Sequence, residues 1–460
     1  MESVRTFSDR HLNKDLARLA LPIAFQNLML AMVAAADAIM LGSIRQDAMS
    51  AVSLATQLQF VQNMLLYSVV SAVSVLAAQY WGKQDRKTVD DIFALGLRLC
   101  AAVSLVWFIG CEFFPVELMT LFTDEPELIA IGANYLRISA WSYLITGISQ
   151  CYLCMIKNIG RTMTVAVIST ATVLLNILLN AVLIYGWFGI PPMEERGAAT
   201  ATTISRVFEL VSCLAVSYLP KYIHPSARAL VRRPGFLARD FYRILLPLGG
   251  GAMLWTIGFT AYSAFMGHLG KDAAAANSVA AVVRDLVCCL CNGLGTGAGV
   301  LLGYALGRGD LKNGKLMGIR ICKMSFWCGG VSAVLMLALT PGLMAVVDLT
   351  GEARHHLLLF MLVLSFYMIG RAVNTIVING IFAAGGDTVF DPVSLAVTMW
   401  GMAIPLAVLG TFVFKWPPVA VYAMTCLDEV GKIPWVILHF RKYKWVRDLT
   451  RETDPQSGTV

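Results

Sequence analysis

The sequence predicts an all-α integral membrane protein of twelve transmembrane helices in two parallel six-helix repeats. Three observations predict it. The 460 residues are 57% hydrophobic and only 14% charged, with a mean hydropathy of +0.68. A soluble domain carries roughly 25% charged residues, which it needs to face water all round. Apolar stretches of about 20 residues, long enough to cross a bilayer as helices, recur along the whole chain. Finally, sliding the chain along itself until Arg18 falls on Arg243 aligns its halves without a gap: Pro22 then meets Pro247, Gly42 meets Gly267, Asp47 meets Asp272, Ala48 meets Ala273, Ala51 meets Ala276, Val75 meets Val300, Gly82 meets Gly307 and Asp85 meets Asp310. A constant offset across the polar ends of several helices marks an internal repeat, and repeats of membrane helices are the architecture of transporters.

In the first half the expected helices run near Leu16 to Gly42, Met49 to Gly82, Val89 to Phe114, Ile129 to Ile156, Thr162 to Tyr185 and Ala198 to Tyr218. In the second they run near Ile244 to Gly270, Asp272 to Gly307, Leu316 to Thr340, Leu357 to Ala384, Thr388 to Phe414 and Val419 to Phe440. An even number per half makes both halves enter the membrane in the same sense. The loop charges agree. Lys and Arg collect at the N-terminus (Arg5, Arg10, Lys14), at Lys83, Arg86 and Lys87, at Lys157 and Arg161, at Arg308, Lys312 and Lys315, and at Arg441, Lys442, Lys444 and Arg447. The alternate loops carry acids, among them Glu117, Asp124, Glu125, Glu127, Glu194, Glu195, Asp348 and Glu352. By the positive-inside rule both termini are cytoplasmic, although the Gly385–Thr388 loop contributes no basic residue. The expected organisation is a lobe over 1–220, a cytoplasmic inter-lobe linker over 221–243, a second lobe over 244–440 and a cytoplasmic tail over 441–460. The linker, with Arg228, Arg232, Arg233 and Arg239, is a topology-setting loop that can also meet anionic lipid headgroups.

The net charge of +7 is modest and confined to loops, so it argues for membrane orientation and against nucleic acid. The chain shows no GxxxxGK[ST] phosphate loop, no HExxH and no GxGxxG after a strand, which leaves ATP drive, zinc hydrolysis and dinucleotide chemistry without support. Gly293, Gly295, Gly297, Gly299 and Gly303 form a stripe inside an apolar helix, where glycines let helices approach closely. The eleven cysteines lie mostly in apolar stretches and read as small core residues. The N-terminal stretch up to Arg18 carries scattered charges and no small-residue cleavage site, unlike a cleaved signal peptide. With no cofactor expected, transport energy falls to an ion gradient.

Several segments carry a family resemblance over nearly the whole chain. LPIAFQN at Leu21 to Asn27, ADAIMLG at Ala36 to Gly42, DAMSAVSLATQ at Asp47 to Gln57 and AAQYWGKQD at Ala77 to Asp85 resemble the first two helices of the multidrug and toxic compound extrusion (MATE) family, bacterial type. LWTIGF at Leu254, AAANSVA at Ala274, LGYALGRGD at Leu302, AAGGDT at Ala383, TMWGMAIPLA at Thr398 and LDEVGK at Leu427 resemble their second-half counterparts. Each motif is weak alone; order, spacing and twofold repetition carry the likeness. The resemblance implies a V-shaped pair of lobes around a central cavity, exporting drug-like molecules against inward flow of H+ or Na+. It also implies a multi-pass protein of the bacterial inner membrane acting as a monomer on small molecules.

Asp37 is the candidate coupling residue. It sits in MLAMVAAADAIMLG, and a carboxylate buried in a bilayer costs several kcal/mol unless protonated, paired or hydrated. The resemblance supplies its neighbours: Asn176 and Asn180, which share a helix face at i, i+4, and Thr202. Relatives often carry an acid where this chain has Asn180. One carboxylate among neutral oxygens can take a proton or hold Na+ weakly at Asp37 and Asn180, and the single charge favours H+. One proton exchanged for one monovalent cation would move no net charge.

The second half departs from the family pattern, with Ala252 and Leu395 where many members carry acids. It instead places charges in apolar runs: Arg284, Asp285, Arg371 and Asp391. Adjacent residues on a helix point apart, so Arg284 and Asp285 are expected to need different partners, with Arg284 or Arg371 meeting Asp391 or Asp285. Together with Gln26 and Gln57 these four form the expected substrate cavity. Asp428 and Glu429, a common family pair, read as structural. The leading function is a cation-coupled antiporter, H+ favoured over Na+, that exports amphiphilic, cationic small molecules. A flippase for lipid-linked precursors shares the architecture and is the alternative. An enzyme would need His, Ser or acids clustered at one depth, whereas His268, His355 and His356 sit at helix ends and loops.

Overall fold

The computed structural model describes residues 9–42, 46–189, 191–232, 235–347 and 349–451, with the side chains at 9–11, 33–39, 41–42, 46, 188 and 346 outside the described set. The described chain is helical throughout, in two six-helix lobes. The first comprises α1 (Asp9–Gly42), α2 (Gln46–Gly82), α3 (Arg86–Phe113), α4 (Pro126–Asn158), α5 (Thr162–Tyr185) and α6 (Glu194–Ser217). The second comprises α7 (Gly235–His268), α8 (Lys271–Gly307), α9 (Leu311–Val346), α10 (Gly351–Phe382), α11 (Phe390–Val413) and α12, which is broken into Pro418–Val430 and Ile433–Phe440. Among the described residues, α2, α3 and α5 to α11 are long and apolar enough to cross a membrane.

The constant offset between the halves is visible in the backbone. Asp85 and Asp310 each cap the third helix of their lobe, accepting from Thr88 N at 3.1 Å and from Asn313 N at 3.2 Å, where a helix start would otherwise leave bare N–H groups. The residue before each cap takes a left-handed backbone, Gln84 at φ 66° and Gly309 at φ 76°. Ala48, Ala51, Ala273 and Ala276 are all buried. Small residues recur because they set helix spacing.

The lobes meet along a seam centred on α2 and α8. A side chain at Gly82 would strike the backbone of Tyr304, and one at Gly307 the backbone of Gln79. Gln79 and Tyr304 are themselves repeat equivalents, so this crossing is one contact made twice about a pseudo-twofold axis. Farther along α8, added side chains at Gly293 and Gly297 would collide with Ala24 and Ala20 of α1, while those at Gly295 and Gly299 would crowd Thr375 and Gly380 of α10. The glycine stripe therefore serves two partners on two helix faces. α7 joins the seam by placing Leu237, Phe241, Ile244 and Leu248 in the apolar core of the first lobe.

The last described residues close the same end. Gln79 is fully buried, and its amide donates to Ala384 O at 2.6 Å and to Arg447 O at 3.3 Å while its oxygen accepts from Leu449 N at 2.7 Å. Arg451 pairs with Asp240 at 2.6 Å, and Trp445 is fully buried, closing on Gly318 and Gly385. The Tyr304 hydroxyl donates to Asn158 O across the seam. All these contacts lie at the end of the bundle that carries the basic loops. Between the lobes, the expected linker contains a short helix, Ala227–Val231, and α7 already begins at Gly235. Ser226 N bonds Asp90 at 2.9 Å and Arg98 donates to Arg232 O at 3.0 Å, which pins the connection to α3.

Candidate functional site

Each lobe has a polar interior, and the two differ in kind. In the first lobe, Asn176 and Asn180 are buried on one face of α5 (3% and 0% exposed). Asn176 donates to Thr202 Oγ1 on α6 at 3.3 Å, and Asn180 donates to Asn176 Oδ1 at 3.4 Å. The structure thus brings together three of the four coupling residues. The fourth, Asp37, lies by its side chain outside the described residues, although α1 packs along α5 and the Tyr185 hydroxyl donates to Met40 O at 3.4 Å. The described part of this site is neutral: amides and a hydroxyl, held by i, i+4 spacing and by the α5–α6 contact. Such a set can hydrate a proton-bearing carboxyl or lend oxygens to a weakly held cation.

The second lobe is charged. Arg371 on α10 pairs with Glu429 on α12 at 2.7 Å. Asn374, one turn on, donates to Glu429 Oε2 at 2.6 Å and to Glu429 O at 2.8 Å. Gly370 permits this approach, because a side chain there would sit 2.8 Å from Glu429 O. Arg284 on α8 bonds Asp285 through Nε at 3.0 Å and Nη2 at 2.9 Å. The guanidinium of Arg284 lies 4.6 Å from the Phe259 ring centre, and that of Arg371 lies 5.6 Å from Trp255. Trp255, Phe259, Arg284, Asp285, Tyr367 and Arg371 border a cavity of about 180 Å³. A smaller one of about 50 Å³ adjoins it, sharing Phe259, Arg284 and Tyr367 and adding Tyr262, Tyr422 and Asp428.

Two expectations are corrected. Arg284 and Asp285 do pair with each other: the long guanidinium arm bends back beside its own helix, so the divergent Cα–Cβ bonds of neighbouring residues do not forbid the contact. Arg371 meets Glu429 and neither Asp391 nor Asp285, because α10 packs directly on α12. Asp391 lies against α7, where a side chain at Gly251 would come 2.7 Å from its Oδ2. Gln26 is buried and donates to Ser169 Oγ at 3.0 Å within the first lobe, and Gln57 is exposed; neither borders the two cavities.

Sequence reasoning passes over a second carboxylate cluster. Glu209 on α6 is 1% exposed, pairs with Arg206 at 3.0 Å and accepts from Ser149 Oγ on α4 at 2.7 Å. Its signal is an Arg and a Glu at i, i+3 in an otherwise apolar helix. Asp428, read as structural, borders a cavity; which face of α12 it occupies depends on a helix break that no motif announces.

With this geometry in place, the comparisons give one answer. The sequence model of the family described as MatE matches residues 22–182 and 247–409, one segment per lobe. The uncharacterized transporter YisQ of Bacillus subtilis is 21% identical over 420 residues, covering 90% of each chain. A probable multidrug resistance protein NorM of Burkholderia mallei is 27% identical over 409 residues, covering 85% of this chain and 84% of the relative. Among solved structures, the Vibrio cholerae MATE transporter VcmN superposes with a TM-score of 0.86 at 14% identity, covering 94% of this chain and 97% of that one.

Proposed function

The chain belongs to the MatE family, and from that premise we propose that it exports amphiphilic cationic small molecules in exchange for protons. Its membership makes it a multi-pass secondary transporter and not an enzyme. The observation that carries the finer reading is the one-ended seam: two repeat-related lobes joined by Gly82, Gly307, Gln79 and the 445–451 segment at the basic end. If basic loops face the cytoplasm of a bacterial inner membrane, the cleft between the lobes opens outward, the state that follows release of cargo. Proton binding to Asp37, beside Asn176, Asn180 and Thr202, then resets the carrier. H+ is favoured over Na+ because the described neighbours of Asp37 bring no second carboxylate to the site.

The flippase alternative needs unpaired positive charge for a pyrophosphate. Arg284 and Arg371 are each already neutralised by a carboxylate, which argues for small-molecule export. No cofactor enters this cycle, and the protein is taken as a monomer in the bilayer, with Arg228 and Arg239 of the linker placed to meet anionic lipid. The deciding experiment is dye efflux from inverted vesicles energised separately by a proton gradient and by a sodium gradient. Drive by the proton gradient alone is expected; drive by sodium alone would replace H+ with Na+ at Asp37, and drive by neither would end the antiport reading.

A further inference from the structure

We propose that Asp428 is a second proton carrier, in the second lobe, so that two protons are exchanged per monovalent cation. The inference rests on the antiport reading above and replaces the one-for-one exchange expected from Asp37 alone. Asp428 is 3% exposed, and its Oδ1 is buried without a hydrogen-bond partner among the described residues. It borders the smaller cavity, which shares Phe259, Arg284 and Tyr367 with the larger one. The Tyr262 hydroxyl, on the wall of the same cavity, is buried beside Asp428. An ionised carboxylate is costly at membrane depth, whereas a carboxylic acid beside a phenol oxygen has somewhere to donate.

The groups that face Asp428 set its charge state. Tyr262 comes from α7, Arg284 from α8, Tyr367 and Arg371 from α10, and Tyr422, Cys426, Glu429 and Lys432 from α12, while Asp391 of α11 shares Arg371, Glu429 and Lys432 with it. Arg284 is cancelled by Asp285. Of the remainder, Asp391, Asp428 and Glu429 stand against Arg371 and Lys432: three carboxylates and two cations, an excess of one negative charge. The Glu429 carboxylate is committed by two hydrogen bonds, from Arg371 and Asn374, and Asp391 is only half-buried. The excess proton therefore belongs to Asp428.

Purified protein in proteoliposomes, with the monovalent cationic dye ethidium as probe, tests the inference. Two protons against one dye cation move one net charge, so a potassium-diffusion potential without a pH gradient should accumulate dye roughly tenfold per 60 mV. Wild type is expected to respond, as is Asp428→Glu. Asp428→Asn, or Asp428→Ser should the amide variant not accumulate, should lose the response to potential while still exporting on a pH gradient. In detergent, dye binding to wild type should release twice the protons released from the Asp428→Asn protein, since dye and proton oppose each other reciprocally. A wild type indifferent to potential, or an Asp428→Asn protein that responds like wild type, overturns the assignment. A wild type driven by neither potential nor pH gradient would instead overturn the antiport reading beneath it.

Discussion

The fourth and sixth helices cross in both lobes, and they are fastened in different ways. In the first lobe Ser149 on α4 donates to Glu209 on α6, and the counter-ion is Arg206 of the same helix. In the second, Asn374 is the repeat equivalent of Ser149 and donates to Glu429 on α12, but the counter-ion, Arg371, comes from α10. One charge pair is closed within a helix and one reaches across. The duplicated scaffold kept the crossing and reassigned the cation. As a result the second lobe spends its ion pair at the wall of a cavity, while the coupling pocket of the first lobe shows only amides and hydroxyls among its described residues. The helices of the second lobe are also locally widened to π-type turns at Thr375–Phe382, Ala396–Ala403 and Leu409–Val413, a distortion common near functional sites.

The comparison can be broken most sharply at Asp37. Asp37→Asn keeps size and hydrogen bonding but removes the titratable group, so proton-coupled dye efflux should fall to the level of protein-free vesicles while the variant still inserts and purifies normally. Efflux at wild-type rates would show that the first lobe does not couple. Next in size is Arg371→Leu, which removes the guanidinium from Glu429, leaves Lys432 as its neighbouring cation and should lower stability by about 3 kcal/mol. Thermal unfolding in detergent reads this, and adding Glu429→Leu should recover most of the loss; no recovery would mean that the pair is not the cause. A gentler change, Asn180→Asp, supplies a second carboxylate and should make export respond to a sodium gradient, measured in the same vesicles. An unaltered ion preference would separate Asn180 from coupling. The smallest effect is expected from Ser149→Ala, about 1 kcal/mol for one interhelical hydrogen bond, because Glu209 keeps Arg206. A loss as large as that of Arg371→Leu would erase the distinction between the two fastenings.

What was legible in the sequence followed backbone geometry. Gly82 and Gly307 align because each lets the other lobe's backbone approach, and Asp85 and Asp310 align because each caps a helix; both jobs admit few residue types. Asp37 was legible because an acid stands out in an apolar run. Arg284 and Asp285 were misread, since residue spacing fixes where side chains start and says little about where a long one ends. Asp428 was hidden for a different reason: its cavity is bordered by α7, α8, α10 and α12, and no local pattern encodes that four helices leave a gap there. The role of Gln79 was similarly hidden, because its partners are backbone atoms of the opposite lobe and of the segment that follows it.

Those partners have a bearing on biosynthesis. Gln79 is made 305 residues or more before the groups that satisfy its buried amide, at Ala384, Arg447 and Leu449. Until residues 445–449 emerge from the ribosome, the glutamine lacks two of its three bonds and the space that Trp445 fills is empty. The seam is thus closed late: a product cut before Trp445 would carry all twelve helices, keep the Gly82 and Gly307 crossing, and lack the bonds that seal it at the basic end.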